Sequence, residues 1–193
     1  LWNEDGVRPL CATEAEFCAP QWVLGQRPYT IIDHDHLLCS INRGGEESIA
    51  IVRISDGLVH QVSASGTAAT SIDVGGRWAA AVLNYPDHPA ALALLALDHA
   101  SWTGVRSSAA MIMDAASVSL AQPVSWTGEQ GVVHGFFYPP TNASFSAPGG
   151  SLPPLITLSH GGPTSFATAD FKIAYQFWTS RGLAPRSVLR RSN

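Results

Sequence analysis

Between Tyr29 and Leu97 the chain alternates short apolar runs with turn residues at close, regular spacing. No other feature of the sequence limits the fold as strongly. Tyr29-Thr30-Ile31-Ile32 is followed by His36 to Ile41, Gly44-Gly45, Ser48 to Ile54, Asp56-Gly57 and Leu58 to Val62. A second set runs through Ser71 to Val74, Trp78 to Asn84 and Ala90 to Leu97. Gly-Gly and Asp-Gly between apolar runs are strong hairpin signals. Residues 29–97 are therefore expected to be strand-dominated, with hairpin turns at Gly44-Gly45 and Asp56-Gly57. Sets of about four strands, each closing on the next, are how propeller blades read in one dimension. Ala90 to Leu97 is rich in helix formers, but Pro86 and Pro89 upstream and its place in the meander make a strand the expectation.

Composition narrows the function classes. The charged share is 13%, against about 25% in ordinary soluble domains, which leaves few solvated helical faces. A net charge of −4 over 193 residues offers no basic footprint for a nucleic-acid partner. Ample apolar content excludes a disordered chain, and the longest apolar run falls far short of the ~20 residues that cross a bilayer. Cys11, Cys18 and Cys39 are odd in number and form no Cys-x-x-Cys pair, so they read as free thiols of a reducing compartment. The first residues, Leu1-Trp2-Asn3-Glu4-Asp5, carry neither Met nor a secretion signal. The chain thus reads as an internal piece of a longer protein, with the cytoplasm as its expected location.

A change of architecture is expected after residue 100. Ala100 to Gln130 is polar and Ser-rich and reads as a connection. Gly131 to Tyr138 is a strand ended by Pro139-Pro140, and Thr141 to Pro154 is a loop. Leu155 to Ser159 is a buried strand that runs into His160-Gly161-Gly162-Pro163. Thr168 to Arg181 has helical periodicity, with Phe171, Ala174, Tyr175 and Trp178 as its apolar stripe and Gly182 at the stop. Pro185 cannot donate to a ladder, and Arg190-Arg191 cannot sit in a doubly covered parallel sheet. The tail 185–193 is therefore expected to lie outside the sheet.

Pro153 to Thr164, reading Pro-Pro-Leu-Ile-Thr-Leu-Ser-His-Gly-Gly-Pro-Thr, resembles the first hydrolase-domain strand of the prolyl oligopeptidase family of serine peptidases. Gln176 to Gly182 resembles the helix end that precedes the next strand in acylaminoacyl-peptidase-like members. Gly131 to Pro140 is similar to the family's opening strand, and Gln21-Trp22-Val23-Leu24-Gly25 to the start of a propeller blade. The resemblance extends from about Cys18 to Ala184. It implies a mixed fold: a partial all-β propeller followed by the first strands and helix of an α/β-hydrolase domain. The expected division is 1–100 for the blades, 101–130 for the connection, 131–184 for the hydrolase start and 185–193 for an aberrant tail.

That family's chemistry needs a serine on a strand-to-helix elbow, a base, an orienting carboxylate and oxyanion donors. The elbow Gly-x-Ser-x-Gly is absent; Gly149-Gly150-Ser151-Leu152-Pro153 comes closest and fails at its last position. The resemblance places nucleophile, acid and base beyond this chain, so no catalytic residue is assigned, and the family's oxyanion Tyr has no counterpart. His160, Gly161, Gly162 and Pro163 are candidates for the active-site rim, since Gly lets backbone approach a ligand closely, with a purely structural turn as the alternative.

Asp33-His34-Asp35-His36 has a metal-like composition, but on a strand its acids and imidazoles would point to opposite faces. A turn is the simpler reading, and no metal or cofactor is expected. Asn142-Ala143-Ser144 matches a glycosylation acceptor that is expected to be idle. Trp22, Trp78, Trp102, Trp126 and Trp178 are expected in packing, and neither Glu14-Ala15-Glu16 nor Glu46-Glu47 is placed at a site. The leading expectation is a fragment of a serine peptidase acting on short or N-acylated peptides. A non-catalytic propeller-like interaction module is the alternative, and the meander before residue 100 argues against a simple esterase.

Overall fold

A computed structural model describes the chain except residues 1, 4, 5, 18–24, 26, 44, 45, 63–65, 67, 130, 162–166 and 189–193. The chain divides into two units, Leu1–Leu83 with Ala91–Arg106, and Asn84–Ala90 with Ser107–Asn193. Among the described residues no helix is long and apolar enough to cross a membrane.

In the first unit a short pair, β1 (Trp2–Asn3) and β2 (Gly6–Val7), precedes two four-stranded sheets. The first sheet contains β3 (Tyr29–Ile31), β4 (His36–Arg43), β5 (Glu46–Arg53) and β6 (Val59–Val62), antiparallel in that spatial order. Arg43 faces Glu46 in the register, so β4 and β5 are joined by a two-residue connection where Gly44-Gly45 was expected to turn. Those two glycines lie outside the described residues. The turn at Asp56-Gly57 forms as expected. Gly57 takes φ +73, the left-handed region that suits glycine, and its N–H donates to the Arg53 carbonyl at 2.9 Å. The Arg53 guanidinium also bridges both Asp56 oxygens at 2.9 and 2.6 Å.

The second sheet holds β7 (Ala68–Gly75), β8 (Trp78–Asn84), β9 (Ala91–Ala96) and β10 (Ser101–Ser107) in the order β10-β9-β8-β7. The ambiguous Ala-Leu run is thus a strand. Alternation decides it: Ala79, Ala81 and Leu83 of β8 are buried with Ala93 and Leu95 of β9, a two-residue period that overrides helix propensity. Cys39, Ile41, Ala50 and Val52 form a core cluster in the first sheet, covered by Leu10, Phe17 and Val59.

The second unit is a mixed sheet of β11 (Gln122–Gly128), β12 (Gly131–Phe137), β13 (Leu155–Ser159) and β14 (Ala184–Val188), in the order β11-β12-β14-β13, and its α-helix among the described residues is α1 (Ile173–Thr179). Strands β12 and β13 fall where expected, but β13 is not the buried strand its apolar run suggests: it ends the sheet order and Leu155 is 50% exposed. Residues 101–130 do not behave as a plain connection, because β10 and β11 lie within them. β11 pairs with β12 from Gln122↔Phe137 to Gly128↔Gly131. Its small polar residues conceal the strand in the sequence, since a half-exposed edge needs few apolar side chains.

The expected tail is corrected as well. Ala184–Val188 pairs parallel with β13, from Leu155↔Ala184 to Ser159↔Val188, and antiparallel with β12. Pro185 is tolerated because of its place. Its carbonyl accepts from Tyr138 N–H at 2.9 Å, so its missing donor faces the point where β12 has already ended. Arg186 is tolerated because its guanidinium stacks 4.5 Å from the Trp126 ring centroid and donates to Thr157 Oγ1 at 3.2 Å, a desolvation offset by cation–π contact. Arg190-Arg191 lies outside the described residues.

The helix is shorter than the sequence predicts and buries another face. Gln176 and Thr179 are buried, whereas Ala174 and Trp178 are exposed and Phe171 is half-buried. Of the expected stripe, Ala174 and Trp178 are therefore corrected, while Tyr175 is half-buried against Tyr138. The Gln176 side chain accepts from Ser119 N–H at 2.8 Å and donates to the Ser119 carbonyl at 3.0 Å. A polar group satisfied in this way is stable inside. At the C-terminal end Gly182 has φ +84, with Leu183 N–H donating to Trp178 O at 3.1 Å and Gly182 N–H to Thr179 O at 3.2 Å, the stop that the sequence predicted.

Gly135 shows how closely this sheet is packed. A Cβ there would lie 2.3 Å from the Ser187 carbonyl oxygen and 3.1 Å from the Trp126 ring. Gly135→Ala is expected to destabilise the second unit by about 2–3 kcal/mol through overpacking. Denaturant titration should show a lower midpoint with an unchanged slope.

Candidate functional site

β13, α1 and β14 make a parallel strand–helix–strand unit, whose strands deliver their carboxyl ends to one edge of the sheet. In open α/β sheets ligands bind outside that edge. The row Ser159–Val188–Gly135 crosses three strands there. His160 follows Ser159 directly; it is half-buried, with Nδ1 3.5 Å from the Gly161 carbonyl oxygen. Of the four rim candidates, His160 and Gly161 are thus placed beside the carboxyl ends, while Gly162 and Pro163 lie outside the described residues. The sequence did not single out His134, an exposed residue that precedes Gly135 on β12.

Beyond the turn the chain is held by a polar cluster that sequence reasoning missed. Lys172 Nζ lies 2.5 Å from Asp170 Oδ1 and 2.9 Å from Thr168 Oγ1, and Thr168 Oγ1 also donates to Asp170. Tyr138 O–H donates to the Thr168 carbonyl at 3.4 Å and packs edge-on against Tyr175, 4.9 Å between centroids. Phe171 N–H donates to Tyr85 O at 2.7 Å. These bonds hold residues 168–172 out of helical geometry, and Lys172 at the helix start is extended (φ −124, ψ 107). The Asp-x-Lys spacing is the only trace of the cluster in the sequence. Burial, then the Asp170 charge, pushes both Tyr138 and Tyr175 above the usual phenol range, so both stay protonated donors at neutral pH.

The other candidates are structural. Asp33-His34-Asp35 lie in the turn between β3 and β4, and His36 opens β4. Asp33 Oδ1 accepts from Asp35 N–H at 2.8 Å and lies 3.0 Å from His36 Nδ1, and Asp35 accepts from Ser55 N–H and Oγ at 2.8 and 3.0 Å. The Asp35 amide, then His36, holds the Asp33 carboxyl below its ordinary range.

Ser151 sits in a turn with its N–H donating to Pro148 O at 3.1 Å, before β13 and at the opposite end of that strand from His160. Asn142 donates to the Ser180 carbonyl at 2.8 Å and accepts from Ser144 N–H at 2.8 Å, so its amide caps the loop. Burial pushes the Cys39 thiol up to about 12, which leaves it unreactive at neutral pH.

Of the described tryptophans expected in packing, Trp102 and Trp126 are half-buried and two others are more exposed. Trp78 and Trp178 are each 38% exposed, the first beside Arg77 at 5.3 Å and the second edge-on to Phe177 at 5.0 Å. Trp22 lies outside the described residues, as does the Glu46 side chain, and Glu16 bridges to Asn42.

No protein-family model and no curated protein matches the chain. Solved structures do. A puromycin hydrolase is 25% identical, with a TM-score of 0.87 over 96% of this chain and 28% of its own. A puromycin-hydrolyzing peptidase of Mycobacterium tuberculosis is 25% identical, with a TM-score of 0.86 over 95% of this chain and 29% of its own. Prolyl oligopeptidase B from Galerina marginata shares the fold at 14% identity, with a TM-score of 0.73 over 98% of this chain and 26% of its own. The chain thus spans under a third of the length of these neighbours.

Asp170→Asn should move the Tyr175 phenol back toward its ordinary value without reaching it, because burial remains the larger cause. Ultraviolet titration of the variant against the parent reads that downward displacement.

Proposed function

We propose that this chain is a portion of a serine peptidase of the prolyl oligopeptidase family, covering the end of its propeller and the start of its hydrolase domain. The observation that carries this reading is the match to puromycin hydrolase, at 25% identity and a TM-score of 0.87 across 96% of the chain. The mixed sheet supports it too, since a hairpin followed by a parallel strand–helix–strand unit suits an α/β domain. In this reading the sheets β3–β6 and β7–β10 are blades, and β11 to β14 begin the catalytic domain.

The reaction of the whole protein would be acyl transfer from a short or N-acylated peptide to a serine, then to water. Within this chain, His160 and the glycines after it would form part of the rim over the carboxyl ends of β13 and β14. The nucleophile, acid and base would come from other sequence, and a cytoplasmic location fits the free thiols. The missing Gly-x-Ser-x-Gly favours a second reading, a non-catalytic interaction module with the same fold.

Two experiments separate these. The coding sequence that follows Asn193, read in all frames, should contain a Gly-x-Ser-x-Gly segment, and the extended protein should hydrolyse peptide amides. A long open frame without such a segment would favour the module. The 193-residue chain itself is expected to show no peptide hydrolysis and no labelling by a fluorophosphonate. Stoichiometric labelling of any serine would contradict the assignment of catalysis to other sequence.

A further inference from the structure

A groove of about 800 Å³ lies at the end of the second unit's sheet opposite His160, where Pro153-Pro154 leads into β13 and Gly182 into β14. Its volume is within the usual range for small-molecule sites, roughly 300–1,000 Å³. The lining is mostly apolar: Phe145, Leu152, Pro153 and Pro154. Phe145 and Leu152 are 80% and 92% exposed, so their apolar surface is open to a ligand.

Arg181 is the one charged residue of this lining. Its guanidinium sits 3.8 Å from the Phe177 ring centroid, and Nη1 donates to Phe177 O at 3.0 Å and Ser180 Oγ at 3.3 Å. Among the described residues no carboxylate lies within ion-pair distance of it. The stacking and the two bonds fix the orientation of the guanidinium, which leaves other N–H donors for a ligand. Asn142, by contrast, is already committed to the loop and to Ser180.

We propose that this groove binds a small apolar carboxylate, its hydrocarbon body against Phe145, Leu152 and the two prolines and its carboxylate on Arg181. Charge complementarity selects this occupant: an apolar wall with one unmatched cation suits an amphiphilic anion better than a neutral or cationic ligand. The site is separate from the carboxyl-end rim and stands independently of the peptidase reading. Two sources share the chemistry, a free fatty acid and the C-terminus of an apolar peptide.

The test titrates decanoate, N-acetyl-Leu-Phe with a free carboxylate, and decanol into the full chain by calorimetry. At least one carboxylate should bind saturably and more tightly than decanol, and the tighter of the two identifies the source. Arg181→Gln should weaken carboxylate binding about tenfold or more and leave decanol unchanged, whereas Leu152→Ser should weaken all ligands that bind. Arg181 and Leu152 are exposed, so both variants should keep the parent thermal midpoint. Absence of saturable carboxylate binding up to about 5 mM, or binding that Arg181→Gln does not change, overturns the proposal.

Discussion

Parallel backbone pairing between Leu155–Ser159 and Ala184–Val188 holds together the region from which function is read. A parallel pair cannot be closed by a tight turn and needs a crossover, so it requires α1 and the segments that anchor it. Those anchors are polar. The reciprocal bonds between Gln176 and Ser119 tie the helix to the chain ahead of β11, and Ser119 Oγ in turn donates to Pro139 O at 2.6 Å. Removing the Gln176 amide would leave the buried Ser119 N–H and C=O unpaired, at a cost of about 1–3 kcal/mol each. The edge that carries His160 exists because this network fixes the crossover.

Polar anchoring explains where the sequence was legible and where it was not. The described hairpin turn of the first unit follows from local chemistry, since Asp56-Gly57 specifies its own turn. Gly182 likewise stops α1 by its own φ. Non-local compensation cannot be read this way. Arg186 looks unfit for an inner strand until Trp126, some sixty residues earlier, lies across the side-chain-free Gly135 to receive it. Gln176 looks like a solvated helix position until Ser119 is beside it. The same holds for the polar strand β11, whose partner β12 supplies most of the apolar side chains of the hairpin.

The candidate site was legible in part. The run Leu155 to Ser159 points to a strand and the residues after it to a turn at its carboxyl end, and the structure places His160 and Gly161 there. The cluster of Thr168, Asp170, Lys172, Tyr138 and Tyr175 left almost no trace, because its members lie on three separate segments and only Asp-x-Lys is local. Its effect is mechanical: it holds residues 168–172 out of helical geometry ahead of α1.

Ala184–Val188 is an inner strand of the sheet and not a loose tail, and the proposed rim depends on it. Native-state amide hydrogen exchange resolved to Arg186, Ser187 and Val188 tests this most directly. The structure predicts protection comparable to that of the β12 amides, because these residues pair with both β12 and β13. Exchange at the rate of an unstructured peptide, with β12 still protected, would contradict the account.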